Sequence, residues 1–103
     1  MPEFARVITV QGSPDKVDEA ARYVKETVIP RASTLPGFRR GFWLMDRASG
    51  GGKVVTVFES KEALDSSAAT AEQLRATSAA ALGITFSSVE NYEVVAEAGP
   101  PRS

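Results

Sequence analysis

Lys53-Val54-Val55-Thr56-Val57-Phe58-Glu59 is the stretch that decides the fold. β-Branched and aromatic residues fill it and a glycine run precedes it, so it reads as a strand over 53–59. Alternate side chains of a strand face opposite ways. Val55 and Val57 therefore oppose Val54, Thr56 and Phe58, and both faces of this strand are largely apolar. Immediately upstream, Arg47-Ala48-Ser49-Gly50-Gly51-Gly52 reads as a hairpin loop whose glycines tolerate positive φ. The run matches neither phosphate-binding glycine pattern, and it joins two strands. The partner strand covers 38–46, where Phe42 and Leu44 point one way and Gly41, Trp43 and Met45 the other.

Helical patterns flank this hairpin. Ser13-Pro14-Asp15 opens the first, with Ser13 placed to cap free N–H groups and Pro14 suited to the first helical position. Val17, Ala20, Ala21, Val24 and Val28 follow as one apolar stripe, and Asp15, Asp18 and Glu19 sit near the positive end of the helix dipole. Pro30 is expected to stop this helix, and Pro36-Gly37 to turn the chain into the second strand. Downstream, Ser60 caps a second helix that reaches about Leu82-Gly83. Its inward positions are Leu64, Ala68, Ala71, Leu74, Ser78 and Leu82, and the run Ser66-Ser67-Ala68-Ala69-Thr70 is a place for it to bend or break. Strands over 4–10 and 86–95 complete the set. Residues 1–95 read as a single domain, and 96–103, with Pro100-Pro101, as a mobile C-terminal tail.

The order βαββαβ is that of an α+β, ferredoxin-like fold, a four-stranded antiparallel sheet with two helices on one face. The first and third strands are central and the second and fourth are edges. Two helices cover one face only, while both faces of strands two and three are apolar. A twofold homodimer, sheet face against sheet face, resolves this.

Composition removes several kinds of chemistry. The 103 residues hold 12 Lys plus Arg against 13 Asp plus Glu, a formal net charge of −1, which argues against nucleic acid or an anionic membrane as partner. With no cysteine and no histidine there is no disulfide, no thiolate nucleophile, no Ser-His-Asp triad and no common zinc ligand set. No apolar run approaches a membrane span. The expectation is a cytoplasmic protein without haem, zinc or flavin.

Leu35-Pro36-Gly37-Phe38, the strand ending Trp43-Leu44-Met45-Asp46-Arg47, and Val57-Phe58-Glu59-Ser60-Lys61-Glu62-Ala63-Leu64 together resemble the antibiotic biosynthesis monooxygenase-type domain, over roughly residues 3–95. The resemblance implies a dimeric α/β barrel. The family includes cofactor-independent oxygenases of aromatic polyketides, haem-degrading enzymes and domains with no assigned activity. Three departures stand out. Phe58 lies where members often carry Trp at the end of the third strand. Ser66 and Ser67 lie where members often carry His early in the second helix. The first strand lacks the Asn of the haem-degrading branch. Haem degradation is therefore disfavoured, and cofactor-free oxygen chemistry is retained.

In such a fold a ligand lies between helices and sheet, and Trp43, Tyr23, Arg75 and Phe58 are the candidate ligand-binding residues. Trp43 is either a pocket wall or a dimer-interface anchor, and Gly41 beside it favours the pocket by leaving room for a large ring. Tyr23 flanks the stripe of the first helix, either donating to a ligand oxygen or simply half-buried. Arg75 lies near the edge of the inward stripe of the second helix, as a snorkelling side chain or as an anchor for an enolate, phenolate or carboxylate. Small residues on that helix (Ser67, Ala68, Ala71, Ser78) either leave room for a flat ligand or let helix and sheet pack closely. No catalytic residue or metal ligand is assigned. Two functions fit: a cofactor-independent monooxygenase acting on a planar aromatic compound, or a non-catalytic ligand-binding homodimer.

Overall fold

In the computed structural model, which describes residues 2–100, four strands form one antiparallel sheet in the order β2-β3-β1-β4. They are β1 (Phe4–Gln11), β2 (Phe38–Met45), β3 (Gly51–Phe58) and β4 (Thr85–Glu93). The register aligns Ile8 with Val54 and Val54 with Trp43, and Arg6 with Thr56 and Thr56 with Gly41. Residues paired directly across strands share a face. Arg6, Ile8, Val10, Val54, Thr56, Phe58 and Trp43 thus stand on the helix side. Val7, Val55 and Phe42 form a row on the open side, where Phe42, Leu44 and Tyr92 keep about half of their surface exposed.

The first helical segment differs from expectation at both ends. The Ser13 side chain makes no cap; its carbonyl accepts the Lys16 N–H at 3.0 Å instead, because Pro14–Lys16 is a 3₁₀ turn. Beyond it, α1 (Val17–Tyr23) passes into a π-helical turn, Val24–Val28, and then into α2 (Ile29–Ala32). Pro30 therefore does not stop the helix. In a regular α-helix its ring would strike the carbonyl of Glu26, four residues back. The wider turn before it, in which the Ile29 N–H bonds to Val24 O, removes that conflict.

The second helix is divided at Ser67 into α3 (Lys61–Ser66) and α4 (Ala68–Leu82). Ser60 caps it as its sequence predicts, its hydroxyl accepting the Ala63 N–H at 3.1 Å. Leu64, Ser67, Leu74, Ser78 and Leu82 are buried, at the spacing of a single helical stripe that runs through the break, and of the expected inward positions Ala68 is exposed instead. Gly83 ends α4 with φ of +65°, a conformation that suits glycine.

The hairpin loop is shorter than its glycines suggest. Of the three, only Gly50 takes a positive φ, +79°; Gly51 and Gly52 belong to β3. β4 stops at Glu93, two residues short of expectation. Val94 still donates its N–H to Glu3 O at 2.8 Å, and Glu97 reaches Arg40 at 3.0 Å. Glu97 is the contact from 96–100 to β2, the rest of that segment is exposed, and 101–103 lie outside the described residues. Among the described residues no helix is long and apolar enough to cross a membrane.

Candidate functional site

The alternation of β1 places an arginine where apolar packing is due. Arg6 shares its face with Ile8 and Val10, and it is only 4% exposed. A buried cation needs partners. Arg6 Nη2 donates to Leu64 O at 2.9 Å and to Ser67 Oγ at 3.0 Å. Both acceptors lie at the junction of α3 and α4. Ser67 Oγ itself donates to Leu64 O at 2.7 Å. The guanidinium carbon of Arg6 lies 5.5 Å from the centroid of the Phe58 ring, within cation–π range. Phe58, 1% exposed, meets Phe38 edge-on at 5.8 Å.

Arg6, Phe38 and Phe58 line a cavity of about 310 Å³ between the sheet and the helices. That is within the range of small-molecule sites. Its floor is Ile8, Val54 and Trp43, and its roof is Val24, Val28, Ala71 and Leu74. Its polar side chains are those of Arg6, Lys25, Thr56, Arg75 and Ser78, the last of which donates back to Leu74 O. Thr56 Oγ1 and Arg75 Nη1 are buried without a hydrogen-bond partner, and no carboxylate pairs with Arg6 or Arg75 among the described residues. Burial, and after it the nearby Arg75, hold the Arg6 guanidinium below its ordinary value, while Asp65 acts the other way. No His, Cys, Asp or Glu lines the cavity, so it holds no general base of the usual kinds.

Trp43, Phe58 and Arg75 come together at this cavity; Tyr23 does not. Tyr23 is half-buried on α1, one residue from the π turn, and the lining positions there are Ala20, Ala21, Val24 and Lys25. The open question about Trp43 is resolved toward the helix side, by its register with Val54 and Ile8. Of the small residues on the second helix, Ala71 and Ser78 line the cavity; Ser67 and Ala68 do not. Arg6 was absent from the sequence candidates, although its parity with Ile8 and Val10 marked it. Arg39 and Arg40 bind away from the cavity, to Glu59 at 3.6 Å and to Glu3 and Glu97.

No family model matches the chain, and no curated protein matches it. Solved structures do. The haem-degrader MhuD from Mycobacterium tuberculosis, solved with two haems in its active site, aligns with a TM-score of 0.72 at 22% identity, over 93% of this chain and 99% of that one. A protein of unknown function from Nitrosomonas europaea gives 0.70 at 20%, over 99% and 98%. SnoaB, a cofactor-independent oxygenase from Streptomyces nogalater, gives 0.61 at 20%, over 99% and 100%. The fold is that of the antibiotic biosynthesis monooxygenase-type domains. At these identities the likeness is one of fold.

Within that monooxygenase-type fold, the site of this chain has its own composition. Arg6 on the first strand, Phe58 at the end of the third and Ser67 early in the second helix are mutually in contact through the Arg6 guanidinium. These are the elements on which the resemblance looks for Asn, Trp and His. Haem iron takes a proximal His, Cys or Tyr in most proteins. The cavity offers none of them, and no metal-binding cluster of His, Cys, Asp or Glu occurs among the described residues. The residues present do not fit a haem-iron site.

Proposed function

We propose that this chain binds a planar aromatic, or similarly apolar, small molecule between its helices and sheet, and acts on it as a cofactor-independent monooxygenase. One observation carries the reading: an apolar cavity with Trp43 and Phe58 in its walls and the donors of Arg6, Arg75 and Thr56 in its lining. Without a base of its own, the protein suits a substrate that ionises readily. Arg75 and Arg6 hold the electron-rich anion, apolar walls exclude water, and the substrate supplies the electrons that oxygen takes. The fold shared with SnoaB supports this reading.

The bare row of Val7, Val55 and Phe42 on the open face, with Leu44 and Tyr92 beside it, supports a homodimer formed sheet to sheet by the domain over residues 1–95. A cytoplasmic setting suits a chain without cysteine.

The missing base favours a second reading, the same pocket without turnover. Oxygen uptake with planar quinols separates the two. Uptake that is lost in Arg75→Gln while saturable quenching of Trp43 by a planar phenol persists at lower affinity supports the oxygenase. Saturable quenching with no uptake across a broad aromatic panel leaves the binding protein.

A further inference from the structure

We infer that the ligand carries a negative charge set on its planar body, a carboxylate or its equivalent, and that Arg6 selects for it as one half of a two-arginine clamp with Arg75. This rests on the ligand-binding reading above and adds to it the class of anion, a carboxylate-like group carried on the ring in place of an ionised ring oxygen, and the part of Arg6 in selecting it.

Three observations lead there. First, Arg6 is almost wholly buried, yet its partners are a carbonyl and a hydroxyl, neither of which carries the charge that would neutralise it. Both bonds use Nη2. Second, a like charge stands nearby at Arg75, and Arg75 Nη1 is buried without a partner. Arg6, Arg75 and Lys25 all line the apolar space and no carboxylate does, the nearest to Arg6 being Asp65 outside the lining, which leaves a deficit of negative charge within the cavity. Third, Thr56 is 9% exposed, lies directly across from Arg6 in the sheet, lines the same cavity, and has an unbonded hydroxyl. A planar anion entering along the aromatic walls meets guanidinium donors and a hydroxyl donor, the set that favours a carboxylate over a neutral oxygen. Arg6 Nη2 is anchored at the junction of α3 and α4, on Leu64 O and Ser67 Oγ.

The alternative is that Arg6 merely caps the end of α3. Capping alone would make the cavity indifferent to ligand charge. The test is a set of matched probes: 2-naphthoate and 2-naphthamide, with the benzene and anthracene homologues of each, titrated into the full chain while Trp43 emission is followed. The carboxylate should bind about 10- to 100-fold more tightly than its amide. Arg6→Met should remove that preference and leave the amide affinity within about twofold. Arg6→Lys should keep part of the preference, and Arg75→Gln should reduce it while thermal unfolding shows each variant folded. Should Arg6→Met fail to fold, the wild-type ratio, Arg6→Lys and Arg75→Gln carry the comparison. Equal affinity for acid and amide, or a preference unchanged by either arginine substitution, overturns the clamp while leaving the ligand-binding reading intact. No binding by any homologue, charged or neutral, overturns both.

Discussion

The indole of Trp43 lies over the Cα of Gly41, two residues earlier on the same face of β2. A Cβ at Gly41 would come within 2.8 Å of Cζ3 and 2.9 Å of Cη2. The ring is therefore laid along its own strand, and the absent side chain is what lets it do so. Gly41→Ala should lift the indole from the strand toward the cavity. The expected cost is about 1–3 kcal/mol, the range for overpacking a filled site. A change in Trp43 emission, a lower unfolding midpoint and weaker binding of the larger aromatic probes should appear together.

Arg6 and stability should be separable. Ser67 Oγ and the Ser67 N–H already satisfy Leu64 O, at 2.7 Å and 3.2 Å, so removing the arginine does not orphan that carbonyl. Replacing a buried cation that lacks a counter-charge by a residue of similar length and no charge relieves its desolvation. Arg6→Met should therefore change the stability of the ligand-free protein by no more than about 1 kcal/mol, in either direction. Urea denaturation checks this, and a loss in the several-kcal/mol range would mark Arg6 as a purely structural cap.

The pH dependence of binding should be that of the ligand. The cavity contains no histidine, cysteine or carboxylate, so none of the usual groups titrates there between about pH 5 and 8. Facing cations favour the ligand anion and lower its pKa when bound. Affinity for a carboxylate probe should be flat above the free probe's own pKa. It should fall as the pH drops below that value, and level off below the lowered value of the complex. A break in the affinity curve near neutrality would point to a titrating protein group that the cavity does not contain.

The open sheet face makes a separate prediction. Phe42 is 50% exposed in a row with Val55 and Val7. Light scattering at micromolar concentration should give about twice the 11.0 kDa chain mass. Phe42→Glu should give single-chain mass, because a desolvated charge opposes its own symmetry mate across a twofold axis. A wild-type protein that stays at single-chain mass would reject the sheet-to-sheet dimer.

The strand order and the Ser60 cap were legible in the sequence because period-two alternation and capping chemistry act over a few residues. Pro30 misled because the rule against proline inside a helix assumes α geometry, and only the register of the N–H ladder reveals a π turn. Ala68 and Ser67 both lie three or four residues from Leu64, so spacing alone does not separate them; only the packed structure shows that Ser67 turns inward to meet Arg6. Trp43 had two faces open to it, and only pairing with Val54 chooses between them. Tyr23 lies close enough to the stripe of α1 that its place depends on where the helix widens. Arg6 is the instructive omission. A lone arginine with the parity of Ile8 and Val10 contradicts its strand pattern, and such contradictions mark sites.

The π turn at Val24–Val28 fits one more residue into a helical turn than an α-helix does. Val24, Lys25 and Val28 from this turn look onto the cavity, so the surplus residue shapes its roof. Deleting one residue here would restore the ordinary ladder, rotate everything upstream by about 100° around the axis, and leave the sheet untouched. It would also bring the ring of Pro30 back against the carbonyl behind it. Among descendants of a common ancestor, a one-residue gap at this point and the loss of that proline should travel together. Each such pair would give the same scaffold a differently shaped chamber.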